Sequence, residues 1–406
     1  DAPWPAILGR ASKIDLGRQS ASYRRMPNNS PVVEIEGKHL KLSNLEKVLY
    51  PAAGFTKGQV IDYYARIAPV LLPHLQNKPL TMKRYPGGVN EEFFFEKNAP
   101  VHRPDWIKTV PIWSYGNKRN VNYVLANDLA TLIWVANLAS LELHPSLSLA
   151  KDIQSPTMIV FDLDPGAPAD MVQCAQVGIW LRDIFTHLGL KSFPKTSGSK
   201  GLQVYVPLHT PTTYEKTKPF AHALARLLEE EHPDLIVSDM KKALRVGKIL
   251  VDWSQNDEHK TTISVYSLRA RERPTVSTPL HWEEVERVLA KKDPKLVVFE
   301  ADDVLKRVDE MGDLFDPVLK LKQKLPDLQD LLRTAKVEEG DRVAIAAQAE
   351  ERVKQMSRKA ERRGPPPAPP RPVVRKNRAL GRSAGSALKT TKSAKSGSRT
   401  AKKPKV

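Results

Sequence analysis

The sequence predicts an α+β or α/β fold, with a body of about 330 residues followed by a basic tail. Short, continuous apolar runs such as residues 157–161 are typical of strands buried on both faces. Between these runs lie longer segments with apolar residues at helical spacing, such as 57–72 and 169–188. Hydrophobic residues make up 41% of the 406 residues, which is enough for a sizeable core.

The elements of the first half follow from apolar spacing and turn residues. Residues 1–31, which contain Pro, Asn and Ser, are expected to form a loosely ordered arm. Asp128 is the expected N-cap of an apolar helix. In chain order, the predicted elements are a strand over 33–35, a short helix over 43–50, a helix over 57–72, strands over 80–84 and 92–96, and a helix over 129–143.

The second half alternates predicted strands and helices. In chain order, these are a strand over 157–161, a helix over 169–188, strands over 190–194 and 202–208, a helix over 213–231, strands over 249–253 and 261–266, and helices over 282–289 and 302–311. We therefore place a single folded domain at 32–335.

The positive charge is concentrated near the C-terminus. Residues 351–406 hold 18 of the 64 Lys and Arg residues but two of the 46 acidic ones, so they carry sixteen of the net +18. Composition predicts a charged helical linker over 336–363 and a disordered tail over 364–406. Such a Lys-, Pro- and Ala-rich tail binds DNA phosphates without sequence preference, or serves only as a solubilising segment.

Composition also excludes several classes of protein. The single cysteine, Cys174, rules out a disulfide scaffold and a cysteine-based zinc site. No apolar run reaches the length of about 18 residues that spans a membrane. We therefore expect a cytoplasmic protein in a reducing environment.

The clearest chemical signal is the pair Asp162 and Asp164, which follows the apolar run 157–161. Side chains two residues apart on a strand lie on the same face, so the two carboxylates are neighbours. They repel each other unless a cation lies between them, and oxygen ligands suit Mg²⁺ or Mn²⁺. Asp252 follows the apolar run 249–251, and three carboxylates on adjacent strands can bind two ions for phosphoryl transfer. The pair Asp162 and Asp164 alone is equally typical of a solvated turn, and Asp252 alone is more often a strand-terminal cap than a metal ligand.

Residues suited to phosphate binding lie near these acids. The loop at 195–201 has small residues that let backbone N–H groups approach an anion, although its spacing is not that of a Walker loop. Arg245 and Arg269 can each hold phosphate oxygens in bidentate fashion. Alone, the loop is equally typical of an ordinary turn, and a single arginine is usually a surface residue.

Three motifs in order carry a family resemblance: Val160-Phe161-Asp162-Leu163-Asp164-Pro165-Gly166, Thr196-Ser197-Gly198-Ser199-Lys200-Gly201-Leu202 and Val251-Asp252-Trp253-Ser254-Gln255-Asn256. Together they resemble the polymerase domain of bacterial DNA ligase D, within the archaeo-eukaryotic primase superfamily. Residues 94–98, 141–144 and 266–269 fit the same pattern, so the resemblance covers roughly 33–330. It implies an α+β primase-type catalytic core with central β-sheets flanked by helices.

The resemblance implies a template-dependent nucleotidyltransferase that adds NTPs or dNTPs to primer 3′ ends in gap filling and end-joining repair. It implies two divalent ions, Mn²⁺ or Mg²⁺, held by Asp162, Asp164 and Asp252, with Asp252 helping to activate the primer 3′-hydroxyl. Template bases would pack on Phe94 and Phe95. The residues implied for the incoming nucleotide are Ser197, Lys200, Gln203, Arg245, Gln255, Arg269, Lys83 and His144, and those implied for a downstream 5′-phosphate are Lys47 and Lys57.

One position departs from the family. Gln203 stands where the family usually has a histidine that contacts the triphosphate. A glutamine side chain can donate a hydrogen bond but cannot carry positive charge. We therefore expect weakened or altered nucleotide binding rather than loss of activity.

The resemblance also implies partners: gapped or broken duplex DNA with a 5′-phosphate, a Ku-type end-binding protein and a separate DNA ligase, at the bacterial nucleoid. We expect no membrane partner. No ligase activity is expected either, because the Lys-x-Asp-Gly motif of a ligase is absent. The nearest string, residues 13–17, has its glycine one place late.

Three alternatives stay open. A primase that starts strands de novo is the nearest of them. A haloacid-dehalogenase-type phosphatase also begins with Asp-x-Asp and uses a covalent aspartate, but it requires Thr or Val where this chain has Gly166. A catalytically weakened DNA-binding protein that acts through its tail is supported only by Gln203.

Overall fold

The structure, a computed structural model, describes residues 31–334 and 339–363. Residues 1–30 of the predicted arm and the whole predicted tail over 364–406 lie outside the described residues. None of the helices in the described part is long and apolar enough to cross a membrane.

The strands fall in the first two thirds of the chain. In chain order they are β1 Val32–Ile35, β2 Lys38–Lys41, β3 Val48–Tyr50, β4 Phe55–Thr56, β5 Leu80–Arg84, β6 Phe94–Glu96, β7 Thr109–Ser114, β8 Arg119–Val124, β9 Ser140–Pro145, β10 Ser148–Leu149, β11 Asp152–Pro156, β12 Met158–Pro165, β13 Phe193–Thr196, β14 Leu202–Pro207, β15 Ile236–Val237 and β16 Ile249–Asp252.

The helices flank the strands and continue beyond them. They are α1 Lys57–Leu75, α2 Leu129–Asn137, α3 Met171–His187, α4 Tyr214–Glu231, α5 Trp282–Lys291, α6 Ala301–Met311, α7 Asp316–Lys320, α8 Leu328–Thr334 and α9 Glu339–Arg363. Short 3₁₀ turns occur at Pro51–Ala53, Lys242–Arg245, Trp253–Gln255 and Pro294–Val297.

The central sheet has the strand order β13-β14-β12-β16-β15 among the described residues. On β12, Ile159, Phe161 and Leu163 pack into a core with α3, α4 and α5. Met158 and Val160 face the other way, into the core that α1 and α2 form with the second sheet. Because successive side chains alternate faces, Asp162 and Asp164 continue the face of Met158 and Val160. The two aspartates therefore lie on the side of the sheet that faces the first half of the chain.

The second sheet runs β6-β5-β8-β7, and β9 pairs with β5. In this pairing Lys83 lies opposite Glu142, and Thr81 lies opposite His144. Asp128 caps α2, since its side chain accepts a hydrogen bond from the backbone N–H of Thr131, as predicted. The predicted helix over 57–72 and the strand over 80–84 are also confirmed.

Three predicted elements are wrong. No helix forms over 43–50. Val48–Tyr50 is a strand, and the carbonyl oxygen of Ser43 accepts a hydrogen bond from Lys57 Nζ. The helix predicted over 129–143 ends at Asn137, because Ala139 has a φ of 56°, which a right-handed helix cannot include. Residues 261–266 form no regular strand, although the N–H of Ser264 bonds to Leu143 O on β9.

Residues 336–363 were predicted to be a charged helical linker. Most of them form helix α9, which packs against α4. Ile345 and Ala349 are four residues apart, so they share a helix face, and both are buried in the core of the central sheet. The guanidinium of Arg352 lies 4.2 Å from the ring centroid of Trp253, in the turn that follows β16. This helix therefore belongs to the packed body over its described residues.

Candidate active site

Four polar side chains form a row across the central sheet. Asp162 lies opposite Asp252 on β16 and opposite Gln203 on β14. Gln203 in turn lies opposite Lys195 on β13. Side chains that are directly opposite in antiparallel strands lie on the same face, so the row runs Lys195, Gln203, Asp162, Asp252. The antiparallel register, and not sequence proximity, brings Asp252 to Asp162.

The aspartates lie close together: Asp252 is buried, Asp162 is half-buried and Asp164 is exposed. Burial, together with repulsion from Asp164 and Asp252, raises the pKa of Asp162 to about 7. Partial loss of solvent around its carboxylate, together with repulsion from Asp252, also raises the pKa of Asp164. Asp162 Oδ1 is buried and has no hydrogen-bond partner among the described residues. A bound cation would neutralise this cluster, so the donor set fits a hard divalent ion.

Asp252 directs its carboxylate to the turn that follows it. Its Oδ1 accepts hydrogen bonds from the backbone N–H and the hydroxyl of Ser254, at 2.8 and 2.6 Å. Its Oδ2 accepts from Gln255 Nε2 at 2.9 Å. Within the described part of the chain, no three His, Cys, Asp or Glu side chains converge as a ready-made metal cage. The turn holds Asp252 in place beside Asp162 and supplies its hydrogen bonds.

Two glycines let other segments come close to β12. A Cβ on Gly201 would lie 2.2 Å from the carbonyl oxygen of Leu163, and one on Gly166 would lie 1.7 Å from that of Arg245. Only glycine allows these approaches. They bring the loop at 197–201 and the 3₁₀ turn with Arg245 to the end of β12 that carries Asp164. This explains why glycine occupies positions 166 and 201.

A cavity of about 370 Å³ opens above the aspartates. Arg269 crosses from the far side and donates from Nη1 to the carbonyl oxygen of Ser197, at 2.5 Å. Lys200 is exposed at the rim. The cavity joins most of the residues predicted for the metal and the nucleotide: Asp162, Asp164, Ser197, Lys200, Gln203, Arg245, Gln255, Arg269 and His144.

Glu142 organises the remaining wall, and the sequence analysis assigned it no role. It is buried, and it lies 3.5 Å from Lys83 Nζ, 3.5 Å from Arg269 Nε and 2.9 Å from His144 Nε2. Burial alone would raise its pKa, but the hydrogen bond from His144 and the charges of Arg269 and Lys83 outweigh this and lower it. Glu142 therefore stays ionised and holds the two cations. An acid between two leucines on a buried strand was the signal that could have revealed it.

The two aromatic residues predicted to contact the template lie on opposite faces of β6. The Phe95 ring is 5.5 Å from Lys83 Nζ and 5.9 Å from the His144 ring, so it borders the Glu142 cluster. The Phe94 ring is 5.1 Å from the guanidinium of Arg84. Both rings are about half exposed.

A larger cavity of about 740 Å³ begins at Phe94 and Phe95. Trp113 and Tyr123 of the β7–β8 hairpin line it, and it shares Thr261 with the cavity above the aspartates. Its lining also includes the basic residues Lys97, Arg119 and Lys260.

Lys47 and Lys57 lie beside each other, since the N–H of Lys57 bonds to the carbonyl oxygen of Lys47 at 2.8 Å. Lys57 is buried, and its Nζ donates to Ser43 O at 2.6 Å. Burial, followed by the charges of Arg84 and Lys47, lowers the pKa of Lys57 to about 8. Neither lysine lines the two cavities described above. The structure thus brings this pair together at a place apart from the aspartates.

A model of the family described as "LigD, primase-polymerase domain" matches residues 56–315. The multifunctional non-homologous end joining protein LigD of Mycolicibacterium smegmatis is 44% identical over 283 residues. The bifunctional non-homologous end joining protein LigD of Bacillus subtilis is 34% identical over 274 residues. The alignments cover 69% and 67% of this chain but 36% and 43% of those proteins, so the chain spans less than half the length of each relative.

A solved structure is similar over the same region. It is the polymerase domain from Mycobacterium tuberculosis ligase D in complex with DNA, which is 38% identical to this chain. The superposition has a TM-score of 0.64 and covers 70% of this chain and 99% of that one. The mixed helix and sheet architecture described above is therefore the architecture of that domain.

Proposed function

This chain belongs to the LigD primase–polymerase domain family, metal-dependent nucleotidyltransferases of the archaeo-eukaryotic primase superfamily, and on this premise we propose that it adds nucleotides to the 3′ end of a primer paired with a DNA template. The observation that carries this proposal is the row of Asp252 and Asp162 beside Asp164, under a cavity walled by cations. Family membership also argues against the phosphatase alternative.

We infer that Asp162, Asp164 and Asp252 hold two divalent ions, Mn²⁺ or Mg²⁺. Such ions stabilise the charge that develops on the attacking and leaving oxygens during phosphoryl transfer. The support for this assignment is the buried, unpartnered Oδ1 of Asp162 and the raised pKa values of Asp162 and Asp164. In this arrangement Asp252 lies beside the incoming primer hydroxyl and is fixed by Ser254 and Gln255.

The cationic wall suits the triphosphate of an NTP or dNTP. Lys200 and Arg245 would bind phosphate oxygens from the rim, and Arg269 would bind them from a position fixed by Ser197 and Glu142. Because Arg269 is held on two sides, it loses little conformational freedom when it binds a phosphate oxygen. Its fixed position therefore favours binding of the phosphate group that is transferred. Ser197, Gln255, Lys83 and His144 would complete the nucleotide site.

The DNA would lie on the surface that joins the two cavities. Half-exposed Phe94 and Phe95 offer faces for unpaired template bases, and stacking of this kind tolerates any sequence. Lys97, Arg119 and Lys260 would pair with the phosphate backbone along the larger cavity. Lys47 and Lys57 form a separate cationic pair that suits a downstream 5′-phosphate.

The biological reaction we propose is gap filling and end-joining repair at the nucleoid, because the relatives are non-homologous end joining proteins. A Ku-type end-binding protein and a separate DNA ligase would be its partners. The predicted basic tail over 364–406, outside the described residues, would tether the enzyme to DNA.

Primer extension on a gapped duplex tests this function. A labelled primer, a downstream 5′-phosphate and Mn²⁺ are combined with either NTPs or dNTPs, and a template without primer is run in parallel. We expect extension of the primer and none on the bare template. Products on the bare template would identify the primase alternative, and DNA binding without any product would favour the weakened DNA-binding protein.

A further inference from the structure

A lysine lies buried beneath the candidate active site. Lys195 on β13 is 0% exposed, which is costly for an ammonium group unless it has partners. Its Nζ donates to Gln203 Oε1 at 2.5 Å and to Ser277 Oγ at 2.6 Å, and it lies 5.3 Å from the ring centroid of Tyr205. None of the roles proposed above uses this lysine.

The hydrogen bonds of Lys195 determine which way the amide of Gln203 faces. A lysine ammonium only donates, so the oxygen of Gln203 must face Lys195 and the NH₂ must face away. The hydroxyl of Tyr205 also donates to Gln203 Oε1, at 3.4 Å. On the other side of Gln203, the strand register puts Asp162 directly opposite it.

Gln203 therefore has little capacity left for a substrate. It is 2% exposed, its oxygen accepts a hydrogen bond from Lys195, and Asp162 is its cross-strand neighbour on the side away from Lys195. A triphosphate would have to compete with Asp162 for the NH₂ of Gln203. Oδ1 of Asp162 has no protein partner among the described residues.

We propose that Lys195 and Gln203 are positioning residues that hold the Asp162 carboxylate for metal binding, and that Gln203 does not contact the triphosphate. This proposal rests on the proposed function and departs from the role that the family resemblance implies for Gln203. Residues that orient a metal ligand typically change metal affinity about 10- to 100-fold when they are replaced. A triphosphate ligand would change the affinity for the nucleotide instead.

The test measures Mn²⁺ binding and nucleotide use separately. Free Mn²⁺ is followed by its electron paramagnetic resonance signal during titration of the full chain, without DNA or nucleotide. The variants are Lys195→Met, Gln203→Met and the double variant, with exposed Lys191→Met as the matched control and Asp162→Asn as the reference for a lost ligand.

We expect each single variant to raise the Kd for Mn²⁺ about tenfold, and the double variant to raise it no further, because both residues act through Asp162. At saturating Mn²⁺, the KM for the nucleotide in primer extension should stay within about twofold of wild type. Lys191→Met should match wild type in both measurements.

Opposite results would overturn the proposal. A Gln203→Met variant with normal Mn²⁺ affinity and a raised nucleotide KM would make Gln203 a triphosphate ligand. Additive effects on Mn²⁺ affinity in the double variant would show that the two residues act separately. If Lys195→Met fails to fold, as judged by circular dichroism, Ser277→Ala replaces it, since Ser277 is the other partner of Lys195 Nζ.

The outcome is independent of polymerase activity. A wild-type chain that binds Mn²⁺ but extends no primer would refute the proposed function, and the comparison of Mn²⁺ affinities would still decide whether Lys195 and Gln203 position Asp162. A wild-type chain that binds no Mn²⁺ would overturn the positioning role itself.

Discussion

Asn256 connects the two strands that carry the aspartates, and replacing it should destabilise the protein strongly. Strand β16 ends at Asp252, opposite Asp162, so Val160 has no strand partner on that side. The Asn256 side chain takes that place: its Oδ1 accepts from Val160 N at 2.9 Å and its Nδ2 donates to Val160 O at 2.7 Å. Its amide thus substitutes for a backbone peptide group and extends the ladder by one step.

The cost of Asn256→Ala follows from these bonds. Asn256 is 0% exposed, so water cannot easily replace them. The N–H and C=O of Val160 would each stay buried without a partner, at about 1–3 kcal/mol per group, which gives an expected loss of about 2–6 kcal/mol in the free energy of unfolding. The bond from Nδ2 to Trp253 O, at 3.0 Å, would be lost as well.

Urea unfolding followed by circular dichroism measures this loss, with exposed Asn90→Ala as the matched control. The control should lie within about 0.5 kcal/mol of wild type. A loss below about 1 kcal/mol for Asn256→Ala would refute the reasoning, because two orphaned backbone groups cannot cost so little.

Three further predictions concern binding. Burial and nearby cations lower the pKa of Lys57 to about 8, so its charge is present below that pH and is lost above it. The preference for binding a gapped duplex with a 5′-phosphate over one with a 5′-hydroxyl should therefore fall between about pH 7 and pH 9. The Lys57→Met variant should show no such preference. A preference that is constant over this range would contradict the assignment. Glu142→Gln removes the charge that holds two cations of the nucleotide wall, so the KM for the nucleotide should rise about tenfold, a loss of about 1.4 kcal/mol, while kcat changes little; an unchanged KM would rule this role out. Phe94→Ala and Phe95→Ala should each weaken binding of a labelled template overhang by about 1–3 kcal/mol, as measured by fluorescence anisotropy. If both variants bind the overhang as tightly as the exposed control Val101→Ala, base stacking on these rings is excluded.

Local patterns in the sequence predicted the centre of the fold well. The apolar run before Asp162 predicted a buried strand, and the spacing of Asp162 and Asp164 predicted a shared face, because both depend only on neighbours along the chain. The loop predicted over 195–201 lies between its two strands but begins at Ser197, because β13 continues to Thr196.

Features set by distant contacts could not be predicted in the same way. The pairing of Asp252 with Asp162 and of Lys195 with Gln203 depends on register between strands far apart in the sequence. The break after Asn137 depends on Ala139 in a left-handed conformation, and neither Gly nor Pro marks it. Lys195 looked like an ordinary loop lysine because its burial depends on Ser277 and Gln203.

Single-nucleotide addition on a gapped duplex tests the central claim most directly. Wild type is compared with Asp162→Asn and Asp164→Asn, which keep the size of each side chain and remove its charge, and with exposed Asp234→Asn as the control. We expect addition by wild type and by Asp234→Asn in the presence of Mn²⁺, none after chelation of the metal, and at least about a hundredfold slower addition by the two site variants. Full activity of either site variant would contradict the claim that these carboxylates form the metal-dependent site.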